Sequence, residues 1–192
     1  MRFTKIACSA LVLVAAAVIP CSAAPFVLFP ATGELISPDR RFVVRDAARE
    51  GAATDFVGTF HSLWLTDLAT GRSRKLCDYL GVAAAAWVGD DFLLVTQYSG
   101  KKSARALLVS AKSDESVMLD APTLAAMAPA DLRAALHDND HVFVEASHLD
   151  AGTFYIHVWG YGHHDPSGFS RECTYALIGG AVSCPEASHS KP

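Results

Sequence analysis

A charged turn followed directly by a run of bulky, β-favouring residues occurs three times in the chain, at intervals of about fifty positions. The three stretches are SPDRRFVV (37–44), VGDDFLLV (88–95) and NDHVFVEA (139–146). β-branched and aromatic residues favour pleated strands, whereas Asp, Asn, Gly and Pro favour turns. The pattern therefore predicts three sheets that each contain a strand entered through a tight polar turn.

Short strands separated by turn residues account for most of the chain after residue 41. The predicted strands are 42–45, 62–68, 73–77, 82–88, 92–97, 105–111, 117–119, 142–146, 153–160 and 173–178. Strands of this length and spacing predict an all-β fold of antiparallel meanders. Several of them are apolar on both faces, which predicts that the meanders are stacked on one another.

One segment breaks the β pattern. Residues 122–136 are rich in Ala and Leu, and Pro129 is placed to end one short helix and begin another. The segment predicts a short helical insertion that caps the β domain.

The first 23 residues have the layout of a secretory signal peptide, with a basic start, an apolar run over 6–19 and small residues before the cleavage point. A lipoprotein site at Cys21 is disfavoured because residues 18–20 are not small. The apolar run is shorter than the roughly 20 residues that a spanning helix needs. Residues 24–192 are therefore predicted to form a single exported β domain, periplasmic or extracellular, with no membrane span.

The charge of the predicted mature chain argues against nucleic acid as a partner. Without the signal segment, 14 Lys and Arg residues face 20 Asp and Glu residues, a net charge near −6. Proteins that bind nucleic acid normally carry a basic surplus or patch. The small basic clusters around Arg41 and Arg74 have acidic neighbours, and we interpret them as solvated salt pairs.

The turn motifs carry a family resemblance. ISPDRRFVV (36–44) followed by LWLTDLATGRSRKL (63–76) resembles the exported TolB-type, WD40-like β-propeller repeat, in which a Ser-Pro-Asp-Gly turn precedes a strand and an Asp-x-x-Thr-Gly turn joins the next two. The resemblance covers residues 35–77 best and extends by pattern to units at 82–120 and 137–184. It departs at Arg40, where the repeat favours Gly, and at Cys77, where it favours Thr.

The resemblance implies a β-propeller-like stack of sheets with a binding or assembly role, in which Asp67, Thr70 and Gly71 shape a turn. Closed propellers typically have four to eight blades. Three units therefore imply an incomplete stack, a ring completed by self-association, or alternatively a β-sandwich that shares the same turns.

Two cysteines flank a predicted hairpin at Gly179-Gly180. A disulfide between Cys173 and Cys184 is compatible with export. A strict two-residue turn would place Cys173 opposite Glu186, so the bond requires a shift of register. Cys77 is left over and is interpreted as a small buried hydrophobic residue.

Histidines in two predicted connections are the candidates for chemistry. His137 and His141 precede one strand of the last unit, and His163, His164 and Asp165 follow the next. If these two connections meet in space, imidazole and carboxylate groups could bind Zn²⁺. This arrangement supports an alternative function, a metal-dependent periplasmic hydrolase, whereas the favoured interpretation is polar loop residues without a cofactor.

The loop around residue 161 is the candidate ligand surface. Trp159, Tyr161 and Phe169 could offer an aromatic face to an unknown protein or small ligand, or they could pack the last hairpin. The sequence contains no Gly-x-Ser-x-Gly, His-Glu-x-x-His or phosphate-loop motif. The leading hypothesis is therefore a non-catalytic exported module that binds through loops of its C-terminal unit.

Overall fold

The computed structural model describes residues 25–48, 59–163 and 167–185. The predicted signal peptide, the lipoprotein alternative at Cys21, and the candidate ligands His164 and Asp165 lie outside these ranges.

Strands dominate the described chain. In order along the sequence the elements are β1 (Val27–Phe29), β2 (Glu34–Ile36), β3 (Phe42–Ala48), β4 (Phe60–Asp67), β5 (Ser73–Leu80), β6 (Ala83–Val88), β7 (Phe92–Ser99), β8 (Ser103–Ser110), β9 (Ser116–Leu119), α1 (Ala121–Met127), α2 (Ala130–Asp138), β10 (His141–Asp150), β11 (Thr153–Tyr161), β12 (Phe169–Ala176) and β13 (Val182–Ser183). The prediction of an all-β fold with one short helical insertion is confirmed.

The strands form three antiparallel meanders. The first sheet is β2-β3-β4-β5, the middle sheet is β1-β6-β7-β8-β9, and the third sheet is β10-β11-β12-β13. Short parallel pairings at Leu80–Ser99 and Val142–Ser103 join neighbouring meanders, so hydrogen bonds link all the described strands into one mixed sheet that does not close on itself.

The middle sheet is buried on both faces. The odd-numbered residues of β6, β7 and β8, such as Leu93 and Val95, pack against Phe42, Leu63 and other residues of the first sheet. Even-numbered residues of the middle sheet, such as Leu94, pack against the third sheet and the helices. We call these layers the first core and the second core. Because successive strand residues point to opposite sides, a strand between two cores must be apolar throughout, as its sequence predicted.

The N-terminal strand β1 joins the middle sheet and not the first sheet, which follows it in sequence. Val27–Phe29 pairs antiparallel with Ala83–Ala85, and the Phe29 side chain is fully buried in the first core. A three-residue strand carries too little periodicity to be recognised, so only its burial against the middle sheet identifies it.

A network of side-chain hydrogen bonds holds the SPDRR turn. The Ser37 hydroxyl donates to Asp39 at 2.6 Å and accepts the backbone N–H of Phe42 at 2.9 Å. Arg40 adopts a positive φ of 60°, the region that glycine occupies without strain. The backbone N–H of Asp39 also donates to Asp90, which ties this turn to the corresponding turn of the middle sheet.

The insertion forms two helices that cover the second core. The Asp120 carboxylate accepts the N–H of Thr123 and caps α1, and Pro129 stands at the start of α2. Leu124, Leu132 and Leu136 are buried against the sheets. Among the described residues, no helix combines the length and apolarity needed to cross a membrane.

The predicted disulfide between Cys173 and Cys184 is present. Thr174 pairs with Ser183 and Tyr175 with Val182, so the connection is longer than the two-residue turn considered above. The resulting shift places the two cysteines opposite each other.

Cys77 is a buried thiol of the first core, 8% exposed. Burial raises its pKa to about 12, so thiolate is scarce at neutral pH. We expect native protein lacking residues 1–23 to react negligibly with Ellman's reagent at pH 8, and to release about one equivalent of thiol after unfolding in guanidinium. A full equivalent of fast-reacting thiol in native protein would contradict the burial of Cys77.

Candidate ligand-binding face

The two faces of the third sheet differ in chemistry. The inner face contributes apolar side chains to the second core, among them Val142, Val144, Phe154, Ile156 and Val158. The outer face alternates with it along the same strands and carries aromatic, imidazole and carboxylate groups. The contrast indicates that the outer face is not built like the sheet-to-sheet contacts inside the molecule.

Four stacked rings form the first part of the outer face. The Phe143 and Trp159 rings are 4.1 Å apart between centroids with planes 11° apart, and the His141 and Tyr161 rings are 4.6 Å apart with planes 4° apart. Each pair joins directly opposed residues of β10 and β11. We call these four residues the aromatic face. Tyr161 is 42% exposed, whereas Phe143 is buried beneath its neighbours.

A row of polar side chains lies beside the aromatic face. Glu145, His157 and Glu172 are aligned across β10, β11 and β12. The His157 Nδ1 lies 3.7 Å from a Glu145 oxygen, and its Nε2 lies 2.8 Å from the Ser170 hydroxyl. We call Glu145, His157, Ser170 and Glu172 the polar row. It offers both donors and acceptors next to the rings.

Tyr98 of the middle sheet positions one member of the polar row. Its hydroxyl donates to Glu145 at 2.7 Å. Burial, and then this hydrogen bond, raise the pKa of Tyr98 above its ordinary value. The phenol therefore stays protonated and keeps donating, which leaves the second Glu145 oxygen on the side of His157.

A second stacked pair extends the outer face beyond the polar row. The His148 and Tyr155 rings are 4.0 Å apart between centroids. A register shift between Ala146 and His148 brings these two residues opposite each other. Measured along β11 from Tyr155 to Tyr161, at about 3.3 Å per residue, the strip is roughly 20 Å long. Its shape suits an elongated ligand.

The predicted aromatic surface is divided between the two faces of the sheet. Trp159 and Tyr161 lie together on the outer face. Phe169 lies against the second core, with its ring packed over Gly160, where a Cβ would be 2.7 Å from the ring. The structure therefore places Phe169 apart from the other two residues of the prediction.

The two histidine-containing connections do meet. The Asp140 carboxylate accepts the backbone N–H of His163 at 3.1 Å, and His141 stacks on Tyr161. His137, at the end of α2, is instead 89% exposed and lies beside Asp138. Within the described ranges, no group of three or more His, Cys, Asp or Glu side chains is arranged to hold a metal ion.

Sequence reasoning did not select Phe143, Glu145 and His157 as site residues. The alternation of β11, which puts Tyr155, His157 and Trp159 on one side, was the available signal. The partner residues on β10 could not be assigned, because the cross-strand register depends on a turn whose bulge is not evident from sequence.

Comparisons of the chain with protein-family models, curated proteins and solved structures gave no match.

Proposed function

We propose that the protein is an exported, non-catalytic module that binds glycans on the outer face of the third sheet. The observation that carries this proposal is the alternation of stacked rings with the polar row along a single strip, in which Tyr161 is exposed and Trp159 is half-buried. The predicted signal peptide and the disulfide support the exported part of the proposal.

The chemistry of the face favours a polyhydroxylated ligand. The flat faces of sugar rings present C–H groups that pack on the negative faces of aromatic rings. Their hydroxyl groups need neighbouring donors and acceptors, which carboxylate, imidazole and hydroxyl side chains provide. Trp159 is opposite Ser170 on β12, and this small side chain leaves room beside the indole.

The composition of the face argues against burial by another sheet of this chain's type. Glu172 has a side chain that is 72% exposed, and Glu145 and His157 are also ionisable. Covering them with an apolar sheet would cost free energy that their mutual contacts only partly offset. A hydrated glycan preserves hydrogen bonds to all three groups.

The test is calorimetric titration with soluble hexasaccharides of glucose, xylose and N-acetylglucosamine. We expect at least one to bind, and Trp159→Ala to weaken its affinity by about tenfold to a hundredfold, since burial of such a ring contributes about 1.5–3 kcal/mol. Trp64→Ala is the matched control, because Trp64 is 37% exposed on the first sheet. The Trp64→Ala variant should bind the hexasaccharide with the affinity of the wild type.

Two results would overturn the proposal. One is the absence of binding by every hexasaccharide to folded wild-type protein. The other is a concentration-dependent dimer in solution that Trp159→Ala dissociates, which would identify the face as a surface for self-association.

A further inference from the structure

A concave region lies where turns of the first and middle sheets meet. It is a cleft of about 290 Å³. Four of its lining residues are basic: Arg41, Arg72, Arg74 and Lys112. We call this region the basic cleft. From the sequence, Arg41 was assigned to one basic cluster and Arg72 and Arg74 to another, and both clusters were interpreted as solvated salt pairs.

The cations of the basic cleft exceed its carboxylates. Asp67 and Asp114 also line the cleft. Asp91, which lies outside the lining, forms an ion pair with Lys112. Asp114 is 86% exposed and comes no closer than 3.8 Å to Arg74. Asp39 also lies within electrostatic range of Lys112 and Arg41. The lining itself, with four cations and two carboxylates, carries a net positive charge on a chain whose net charge is −4. A concentration of positive charge against the sign of the whole molecule favours an anionic ligand.

Two of the cationic side chains are held in place. The Arg74 guanidinium donates to the backbone carbonyls of Ser110 and Ser113, the latter at 2.8 Å. Arg41 lies over the Phe42 ring and donates to Asp67 at 3.1 Å. The hydrogen bond from Arg41 lowers the pKa of Asp67, so that carboxylate remains charged and continues to hold Arg41. Fixed donors lose less conformational entropy when a ligand binds.

Arg72 has a different role in the basic cleft. It is exposed on the β4–β5 turn, and within residues 25–48, 59–163 and 167–185 its guanidinium has no hydrogen-bond or ion-pair partner. Buried apolar residues, Phe42, Leu65 and Ala111, form part of the lining. An unpaired guanidinium beside apolar lining residues is suited to bind two oxygen atoms of an acidic group at once.

We propose that the basic cleft binds a small dianion whose charges are carried on oxygen atoms, a phosphate monoester or a dicarboxylate. Arg72 supplies the free guanidinium, and Arg41 and Arg74 supply the fixed ones. The volume of the cleft lies near the lower end of ligand pockets, which suits a ligand of a few carbon atoms.

The test is a titration of the folded protein followed by NMR amide shifts, with glycerol 3-phosphate, inorganic phosphate and succinate as probes and chloride at matched ionic strength as reference. We expect shifts that saturate and that centre on the β4–β5 and β8–β9 turns. Saturation by the phosphates alone assigns a phosphoryl group, and saturation by succinate assigns a carboxylate.

Arg72→Glu should weaken binding by at least about tenfold, because a charge-assisted hydrogen bond is replaced by repulsion. Lys101→Glu makes the same change of net charge in the exposed β7–β8 turn, at the opposite end of β8. The affinity of the Lys101→Glu variant for the anion should remain within about twofold of the wild type. A charge more than a Debye length from the basic cleft is largely screened by salt. Equal weakening by both substitutions, or no saturable shift with any probe, would overturn the proposal.

Discussion

Replacing Phe154 by Ala should lower the free energy of unfolding by about 3–5 kcal/mol, the usual cost of removing a buried phenyl ring. Phe154 is fully buried in the second core, where it is opposite Leu149 on β10 and Tyr175 on β12. The third sheet and the helices pack on the middle sheet through this layer, so the cavity would lie between elements that cannot easily close it. Urea unfolding followed by circular dichroism measures the loss.

Ile178→Ala is the control, because Ile178 is 94% exposed in the hairpin turn. This substitution should change the free energy of unfolding by less than about 0.5 kcal/mol. If Phe154→Ala does not fold, Phe154→Leu provides the measurement, with an expected loss below about 1.5 kcal/mol because most of the volume is kept. A loss below 1 kcal/mol (about one-third of the usual minimum) for Phe154→Ala would mean that the sheets do not meet at this residue.

Replacing Gly160 by Ala should lower the free energy of unfolding by about 1–3 kcal/mol through overpacking. A Cβ at this position would lie 2.6 Å from the carbonyl oxygen of His141 and 2.7 Å from the Phe169 ring. The ring has some freedom to move, but the carbonyl belongs to the paired strand β10. Relief therefore requires β10 and β11 to separate next to the aromatic face.

Gly33→Ala is the matched control, because no atom lies within 4 Å of the position its Cβ would take. We expect no loss of stability from that substitution. Gly160→Ala should also weaken the proposed glycan binding, since Gly160 stands between Trp159 and Tyr161. Thermal unfolding of both variants measures the change in stability. If Gly160→Ala is as stable as the wild type, β10 and Phe169 do not approach Gly160 as closely as the structure shows.

Much of the fold could be predicted because its causes are local. Gly and Asp at the turns, and the continuous apolar runs of β6, β7 and β8, indicated short strands buried on both faces. Pro129 correctly divided the helical insertion, since a proline has no N–H to donate within a helix. The positions of Cys173 and Cys184 on either side of one hairpin made them a candidate pair, but the register that aligns them came only from the structure.

The candidate sites depended on longer-range relations. Trp159 and Tyr161 were selected from sequence, but their stacking partners Phe143 and His141 become evident only from the register of β10 on β11. Phe169 was grouped with them because it is close in sequence. Its strand, however, runs antiparallel to β11 and turns that side chain toward the second core.

The sequence by itself determined most of the longer strands, their turns and the helical insertion, because turn chemistry and side-chain alternation act over a few residues. Only the tertiary structure decided that β1 completes the middle sheet, that aromatic and polar side chains share the outer face of the third sheet, and that Arg41, Arg72, Arg74 and Lys112 share one cleft. These relations join residues distant along the chain. They arise from the way whole sheets bury their apolar faces against each other, which no local pattern specifies.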